Sequence, residues 1–215
     1  VRSTKGLPLA TYVKNIEDDG WTKNYTWYDT LGRVFGSRSN NHLGGYTVVN
    51  HQLDFSGVPL QTYTYHRRLM TDTEILTKEV FTYDHQNRLL THTHRVGSNP
   101  IEILAQNTYN ELSQLKAKKV GGTVAASPLQ TIDYKYNIRG WMTQINDPSN
   151  LGNDLFGYKI NYNQVEGLAK PYVLDYPNLQ VSPKYNGNIS EVSWKTLTEE
   201  NEPLKRYGYV YDGLN

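Results

Sequence analysis

The stretch TWYDTLGRV, residues 26–34, places a tyrosine and an aspartate before a short turn that ends in glycine and arginine. Related stretches are YDHQNRL at 83–89, YNIRGWM at 136–142 and YGYVYDGLN at 207–215. The tyrosines that precede such turns are Tyr28, Tyr83, Tyr109, Tyr136, Tyr162, Tyr185 and Tyr211. In the long first gap, LDFSGVPL at 53–60 has Leu53 and Asp54 in the same two positions. The intervals then average about 26 residues, which predicts a single tandem array of eight units over residues 1–215.

The residues before each turn have the periodicity of a β-strand. Large side chains occupy every second position, as at Tyr63 and Tyr65 or at Tyr207 and Tyr209. A period of two indicates a strand with those rings on one face. A second strand-like segment follows each turn, such as RLLTHTHRV at 88–96. Only residues 112–120 could be mistaken for a helix, and their place straight after a Tyr-Asn pair favours a strand.

Each turn begins with a side chain that can accept hydrogen bonds from backbone N–H groups two residues further on. These residues are Asp29, Asp54, Asp84, Asn110, Asn137, Asn163, Asn186 and Asp212. A residue that tolerates positive φ then closes the turn: Gly32, Gly57, Asn87, Gly140, Gly187 or Gly213. Aspartate at the first position and glycine at the fourth suit a type I turn that continues into a hairpin with a bulge. The sequence therefore predicts an all-β fold of serial β-hairpins in a curved or spiralling sheet.

The composition excludes several functional classes. Lys and Arg number 22 against 21 Asp and Glu, so the balance gives no case for binding nucleic acid or anionic lipid. There is no cysteine, which excludes disulfides, thiolate metal sites and a cysteine nucleophile. No apolar run is long enough for a membrane-spanning helix. The chain starts at Val1 and stops two residues after Gly213. We expect it to be a segment of a larger protein.

Candidate catalytic and metal-binding residues have simpler interpretations. His92 and His94 alternate on one predicted strand, where two imidazoles could face the same side, but no third ligand is apparent beside them. No GxSxG motif supports a serine nucleophile. The carboxylate pairs Asp18-Asp19 and Glu199-Glu200 lie in polar connecting segments. We predict no catalytic site, no metal site and no cofactor.

Arginines follow several turns, and tyrosines recur at fixed positions. Arg33, Arg88 and Arg139 are expected to pair with the turn aspartates or to stack on neighbouring tyrosines rather than to form a basic binding stripe. The tyrosine rings are expected to pack between strands. Stacking of these rings on sugars is the alternative that remains open.

The repeat resembles the YD repeat of the RHS family, whose relatives include the teneurins and the large insecticidal toxin complexes. TWYDTLGRV at 26–34 and YGYVYDGLN at 207–215 carry this resemblance most closely, and residues 139–162 resemble a segment of RHS proteins from Bacteroidetes. The copies at Tyr109 and Tyr162 lack the expected arginine, and the copy at Tyr109 also lacks the glycine. The resemblance implies a hollow shell of hairpins, exported to the cell surface or beyond.

The same resemblance implies the partners. They would be the rest of the protein's own chain, including an enclosed C-terminal effector or surface domain, and secretion machinery such as the type IX route. Membrane insertion and nucleic acid are not expected. The alternative function is a surface adhesin or glycan-binding module. A β-propeller, with two units in each four-stranded blade, is a third possibility that the spacing permits.

Overall fold

A computed structural model describes residues 6–167, 180–198 and 202–213. Its regular structure consists of strands, and no described residue is helical, so the predicted all-β class is confirmed. The segment after Tyr109 is a strand, as predicted. The fourteen strands are β1 (Ala10–Lys14), β2 (Trp21–Tyr28), β3 (Val34–Asn40), β4 (Tyr46–Leu53), β5 (Pro59–Arg67), β6 (Ile75–Tyr83), β7 (Leu89–Val96), β8 (Glu102–Tyr109), β9 (Leu115–Val120), β10 (Gln130–Tyr136), β11 (Met142–Ile145), β12 (Phe156–Asn161), β13 (Glu191–Thr196) and β14 (Lys205–Gly208).

Hydrogen-bonded strand order follows chain order from β1 to β14. The chain divides into two compact units, one made of Val1–Gln106 with Gly121–Pro128 and the other of Asn107–Val120 with Leu129–Asn215. In the first unit, antiparallel pairing continues from β1 through β7 to β8. A propeller would interrupt the pairing after every four strands. This continuous pairing therefore excludes the propeller alternative.

The hairpins contain the expected bulge. Trp27 lies opposite Gly36 while Tyr28 lies opposite Val34, so Phe35 is an extra residue in the return strand. The register shifts in the same way next to Leu53, Tyr83 and Tyr136. A bulge of this kind increases the local twist and re-aims the side chains beside the turn.

Few of the described side chains are buried, and most strand residues are half-exposed. Among the described residues the buried hydrophobic side chains are Ala105, Leu151, Ile160, Val181 and Val192. Four of these five lie in the second unit. There the segment at Pro148–Leu151 lies close against Gly157 of β12, and Val181 lies against Gly208 of β14. None of the described residues forms a helix that could cross a membrane.

Candidate functional site

The turn at Asp29 shows how the repeat sequence fixes its own geometry. The Asp29 N–H donates to the carbonyl of Arg33 at 2.8 Å, and the Gly32 N–H donates to the carbonyl of Asp29 at 3.1 Å. The side-chain Oδ1 of Asp29 accepts from the N–H of Leu31 at 2.8 Å and of Arg33 at 2.9 Å. One carboxylate oxygen therefore satisfies two backbone donors that a tight turn would leave unpaired.

The same pattern recurs at four other predicted turns. In each, the N–H four residues after the Asp or Asn donates to the side-chain oxygen of that residue at 2.8–3.0 Å. The i+3 N–H also donates to the carbonyl of the first residue at 2.9–3.3 Å. An asparagine can replace aspartate because both side chains present the same acceptor oxygen. These turns begin at Asp54, Asp84, Asn110 and Asn137.

The arginine at the end of a turn closes it and, at Arg33, reaches the next one. The Nε of Arg33 lies 2.7 Å from Oδ2 of Asp29, and Arg88 holds Asp84 in the same way at 2.6 Å. Arg33 Nη1 also donates to the carbonyl of Phe55 in the following turn at 2.8 Å. The pairing with turn aspartates was therefore predicted correctly for Arg33 and Arg88.

Arg139 occupies a different position, because it lies inside its turn rather than after it. Its guanidinium is 5.1 Å from the centre of the Trp141 ring. The residue it stacks on is therefore a tryptophan rather than a tyrosine. Arg139 also reaches the carbonyl of Tyr185 at 3.4 Å.

These contacts shift the acidity of Asp29. The backbone N–H of Arg33 has the largest influence and lowers the pKa of the Asp29 carboxyl, because it binds the charged form. Desolvation acts in the opposite direction, while the guanidinium of Arg33 and the N–H of Leu31 lower the pKa further. The carboxylate is therefore held charged as part of the turn.

At the five turns that begin with Asp29, Asp54, Asp84, Asn110 and Asn137, the residue that closes the turn adopts positive φ. The value is 79° at Gly32, 95° at Gly57 and 81° at Gly140, and Asn87 takes the same role at 60°. In the copy that lacks glycine, Ser113 has φ 64°. A serine is rarely found in this region, because its Cβ crowds the backbone. The degenerate copy thus keeps the turn geometry at the expense of local strain.

Several of the repeat tyrosines make a hydrogen bond that joins consecutive hairpins. The Tyr83 hydroxyl, at the end of β6, donates to the carbonyl of Pro59 at the start of β5, at 3.0 Å. Pro59 is the fifth residue after Asp54, so the bond connects one repeat with the turn of the preceding one. Tyr136 makes the equivalent bond to Leu115, and Tyr28 donates to Pro8, each at 3.0 Å. We call this contact the tyrosine clamp.

In the second unit, the predicted copies at Tyr162 and Tyr185 both lie between β12 and β13, which pair directly with Asn161 opposite Glu191. Residues 168–179 of this connection lie outside the described residues, so the number of units stays a prediction. The Lys184 N–H donates to the carbonyl of Tyr162 at 2.7 Å. Tyr162 thus supplies the strand end and residues 184–189 supply the turn, with the Asn163 segment inserted between them.

Two clamps support this assignment. The Tyr162 hydroxyl donates to the carbonyl of Met142 at 3.1 Å, and the Tyr211 hydroxyl donates to the carbonyl of Ile189 at 2.9 Å. Gly187, with φ 100°, therefore occupies the position of Gly32. The Asn186 side chain accepts a hydrogen bond from the N–H of Asn188 at 3.1 Å, but Asn186 is not the first residue of the turn. The residues at Tyr185 thus match the repeat in sequence, but the turn begins at Lys184, one residue before Tyr185.

The last predicted turn is described only in part. Tyr211 follows β14 by three residues, and Asp212 and Gly213 are the last described positions. Gly213 is not among the glycines with positive φ. The hairpin that this copy would begin lies outside the described residues.

One turn of the same kind was missed by sequence reasoning. At Asn41 the Oδ1 accepts from the N–H of Leu43 at 3.0 Å and of Gly45 at 2.8 Å, and Gly44 has φ 82°. This turn connects β3 to β4 at the opposite end of the strands from the Tyr-Asp turns. The available signal was Asn followed by Gly at the fourth position, but no aromatic residue precedes it.

The predicted histidine pair has two separate carboxylate partners. His92 Nε2 lies 2.9 Å from Glu79 Oε1, and its ring stacks on Phe81 with centres 4.4 Å apart. His94 Nε2 lies 2.9 Å from Glu102 Oε2. In the part of the chain that the structure describes, no group of three or more such residues is arranged to hold a metal ion.

The carboxylate pairs are equally ordinary where they are described. Asp18 accepts from the Asn15 side chain at 2.9 Å and from the Gly20 N–H at 2.8 Å, within a turn. Asp19 lies 3.0 Å from Lys14 Nζ and is almost fully exposed. Glu199 and Glu200 lie outside the described residues.

Comparison with known proteins finds likeness among solved structures only. No family model matches the sequence, and no curated protein matches it. Among solved structures, the "Crystal Structure of TcdB2-TccC3" matches with a TM-score of 0.42 and 11% sequence identity. The match covers 89% of this chain and 10% of that chain, so the chain spans about a tenth of the length of that solved structure.

Proposed function

We propose that this chain is a non-enzymatic wall segment of an RHS-type shell, belonging to a larger exported protein that encloses or presents a C-terminal effector or surface domain. The tyrosine clamp is the observation that carries the proposal. Five tyrosines, namely Tyr28, Tyr83, Tyr136, Tyr162 and Tyr211, make this contact, which at Tyr83 and Pro59 ties one hairpin to the hairpin before it. Such a unit depends on the next unit for its stability, which is the property of a repetitive wall.

The small number of buried side chains supports the same role. Large hydrophobic residues such as Phe55, Ile138 and Ile16 are at least 96% exposed in their turns and connections. A domain that functions alone buries most such residues in one core. A wall segment can leave them for contacts with the remainder of its own protein. That the sheet curves into a shell stays a prediction.

The test uses the full-length protein and limited proteolysis. If the wall encloses a C-terminal region, that region resists protease in the native protein and is cut once mild denaturant opens the wall. Replacing Tyr83 and Tyr136 by Phe is expected to lower the denaturant concentration at which the protease cuts the C-terminal region. A C-terminal region that is cut at the same rate in native and unfolded protein contradicts the enclosure.

Export is tested separately. Intact producing cells are labelled with an antibody against the hairpin array, with a cytoplasmic marker as the control. We expect surface labelling or release into the medium. Array protein that fractionates only with the cytoplasmic marker contradicts the exported role, and loss of type IX secretion is expected to abolish the surface signal.

A further inference from the structure

The two faces of the first unit's sheet differ in chemistry. Residues directly opposite one another in antiparallel strands lie on the same face, so the register assigns every strand residue to a face. All six Lys and Arg residues of β1–β7 fall on one face, and seven aromatic residues share it. We call this the cationic–aromatic face; its members are Lys14, Lys23, Arg38, Arg67, Lys78, Arg95, Tyr12, Trp21, Tyr25, Trp27, Tyr46, Tyr63 and Tyr65.

Acidic residues are absent from this face within β1–β7. Glu79 is the only Asp or Glu in those strands, and it points to the opposite face, in register with His94. Two acidic side chains reach the margin from connections: Asp19 beside Lys14 and Glu74, which accepts from the Tyr46 hydroxyl at 2.6 Å. Within β1–β7, no acidic side chain on this face offsets its positive charge.

The cations are positioned by the rings between them. The Arg38 guanidinium lies 4.6 Å from the centre of the Tyr46 ring on β4. The guanidinium of Arg67, on the neighbouring strand β5, lies 5.7 Å from the centre of the same ring. Lys78 Nζ lies 5.3 Å from the Tyr63 ring. A cation held over a ring keeps its charge and loses less freedom when it binds a partner. The face is thus a preorganised array of positive charge.

Several rings remain open to solvent. Tyr12 is 52% exposed, Trp21 49% and Trp27 38%. Exposed aromatic side chains concentrated in one area mark an interaction surface more strongly than scattered ones. Trp, Tyr and Arg are also the residues that dominate the binding energy of protein–protein interfaces. The composition of the face is that of a protein-binding surface with a positive potential.

We propose that the cationic–aromatic face binds an acidic polypeptide segment that carries apolar side chains among its carboxylates. The positive charge of the face favours an acidic partner. The exposed rings of Trp21 and Trp27 favour a partner that also has apolar side chains to pack on them. Stacked nucleic-acid bases fit less well, because the rings of Tyr46 and Tyr63 are already covered by cations. This binding role goes beyond the wall function and does not depend on it.

The dimensions set the length of the probe. Seven strands spaced at about 4.8 Å give a face about 29 Å wide, which an extended peptide of about nine residues crosses. The probe is a peptide of about twelve residues in which Glu alternates with Phe and Leu. Binding to the 215-residue chain is followed by tryptophan fluorescence and by calorimetry at low and high salt.

The test compares the peptide binding of two variants, one with three cations of the face neutralised and one with three cations elsewhere neutralised. The triple variant Lys23→Gln, Arg38→Gln, Lys78→Gln is expected to weaken peptide binding about tenfold at low salt. The control variant, Arg68→Gln, Lys116→Gln, Lys135→Gln, removes the same charge off the face and is expected to bind as the unmodified chain does. Since Arg38 also packs on Tyr46, the double variant Lys23→Gln, Lys78→Gln repeats the test with Arg38 in place.

Equal weakening by the face and control variants overturns the proposal, because it means that net charge alone attracts the peptide. Tighter binding of polygalacturonate than of the peptide assigns the face to acidic glycans, and tighter binding of oligo-dT assigns it to nucleic acid; either result overturns the polypeptide. Poly-glutamate of matched charge is expected to bind more weakly than the peptide, and equal binding overturns the role of the rings.

Discussion

The tyrosine clamp predicts that removing one hydroxyl weakens the link between two hairpins. Tyr83→Phe keeps the ring and deletes only the donor to the Pro59 carbonyl, 3.0 Å away. The matched control is Tyr65→Phe, because the Tyr65 hydroxyl on β5 makes no hydrogen bond with the described residues. The comparison therefore isolates the clamp from the general effect of losing a tyrosine hydroxyl.

The expected loss follows from the energy of one half-buried hydrogen bond. A typical intramolecular bond contributes about 0.5–1.5 kcal/mol to the free energy of unfolding. Tyr28 makes the same bond to Pro8 in the same unit. The two sites are far apart along the sheet, so the double Phe variant is expected to lose about 1–3 kcal/mol. With a urea m-value near 2 kcal/mol/M, this lowers the unfolding midpoint by about 0.5–1.5 M.

Urea unfolding of the unmodified chain and of the Phe variants at neutral pH gives these midpoints. The reasoning fails if Tyr83→Phe and Tyr65→Phe shift the midpoint equally, since the clamp would then contribute nothing beyond a solvated hydroxyl. A change in the m-value rather than in the midpoint would also contradict it, because the clamp adds a bond without changing the surface that unfolding exposes.

Burial of Tyr83 also predicts an effect at alkaline pH. Desolvation, with a smaller contribution from the nearby charge of Asp54, raises the pKa of Tyr83 above its usual value near 10. A group whose folded pKa is raised stabilises the fold below the unfolded pKa, and that contribution is lost as pH rises through the folded pKa. The unmodified chain is therefore expected to lose stability more steeply above pH 10 than Tyr83→Phe does, and parallel profiles would refute this assignment.

Three further predictions concern the turns and the second unit. The pKa of Asp29 is lowered in the folded chain, so the stabilisation by its carboxylate is fully present above the unfolded pKa near 3.9 and is lost as pH falls through the folded pKa. Asp29→Asn is therefore expected to reduce the loss of stability, measured by urea unfolding, between pH 5 and 2. The same loss of stability in the variant would contradict the lowered pKa. Ser113 adopts φ 64°, so Ser113→Gly is expected to raise the free energy of unfolding by about 1 kcal/mol, whereas any decrease would show that the serine is not strained. Glu191 is fully buried and lies 2.7 Å from Arg206 Nη1, so Glu191→Ala is expected to lower that free energy by about 3–5 kcal/mol, with the exposed Glu111→Ala as a control that changes it little.

The sequence predicted what local chemistry determines. Asp29 and Asn110 begin turns because their side chains reach backbone donors two and four residues away, which is a property of a few adjacent residues. Asn87 was expected at positive φ for the same reason, and it is found there. The Asn41 turn has the same chemistry but was not predicted, because no tyrosine precedes it.

What could not be predicted depends on contacts between distant residues. The sequence at Tyr185 resembles the other copies, and only the pairing of β12 with β13 shows that Tyr162 and Tyr185 lie in the same connection. The segregation of Lys23 and Arg38 onto one face was equally hidden, because a face is defined only after the register of neighbouring strands is known.

Residues beside the Tyr-Asp turns contact both the preceding and the following hairpin. Tyr83 reaches back to Pro59 of the hairpin before it, while Arg33 reaches forward to the carbonyl of Phe55 in the hairpin after it. Both contacts connect immediate neighbours, and the few buried hydrophobic side chains add little between hairpins that are far apart. Stability then accumulates from one hairpin to the next rather than from one core, as in other repeat proteins. A substitution at one turn should therefore loosen its own hairpin and the two beside it, and leave more distant hairpins as they were.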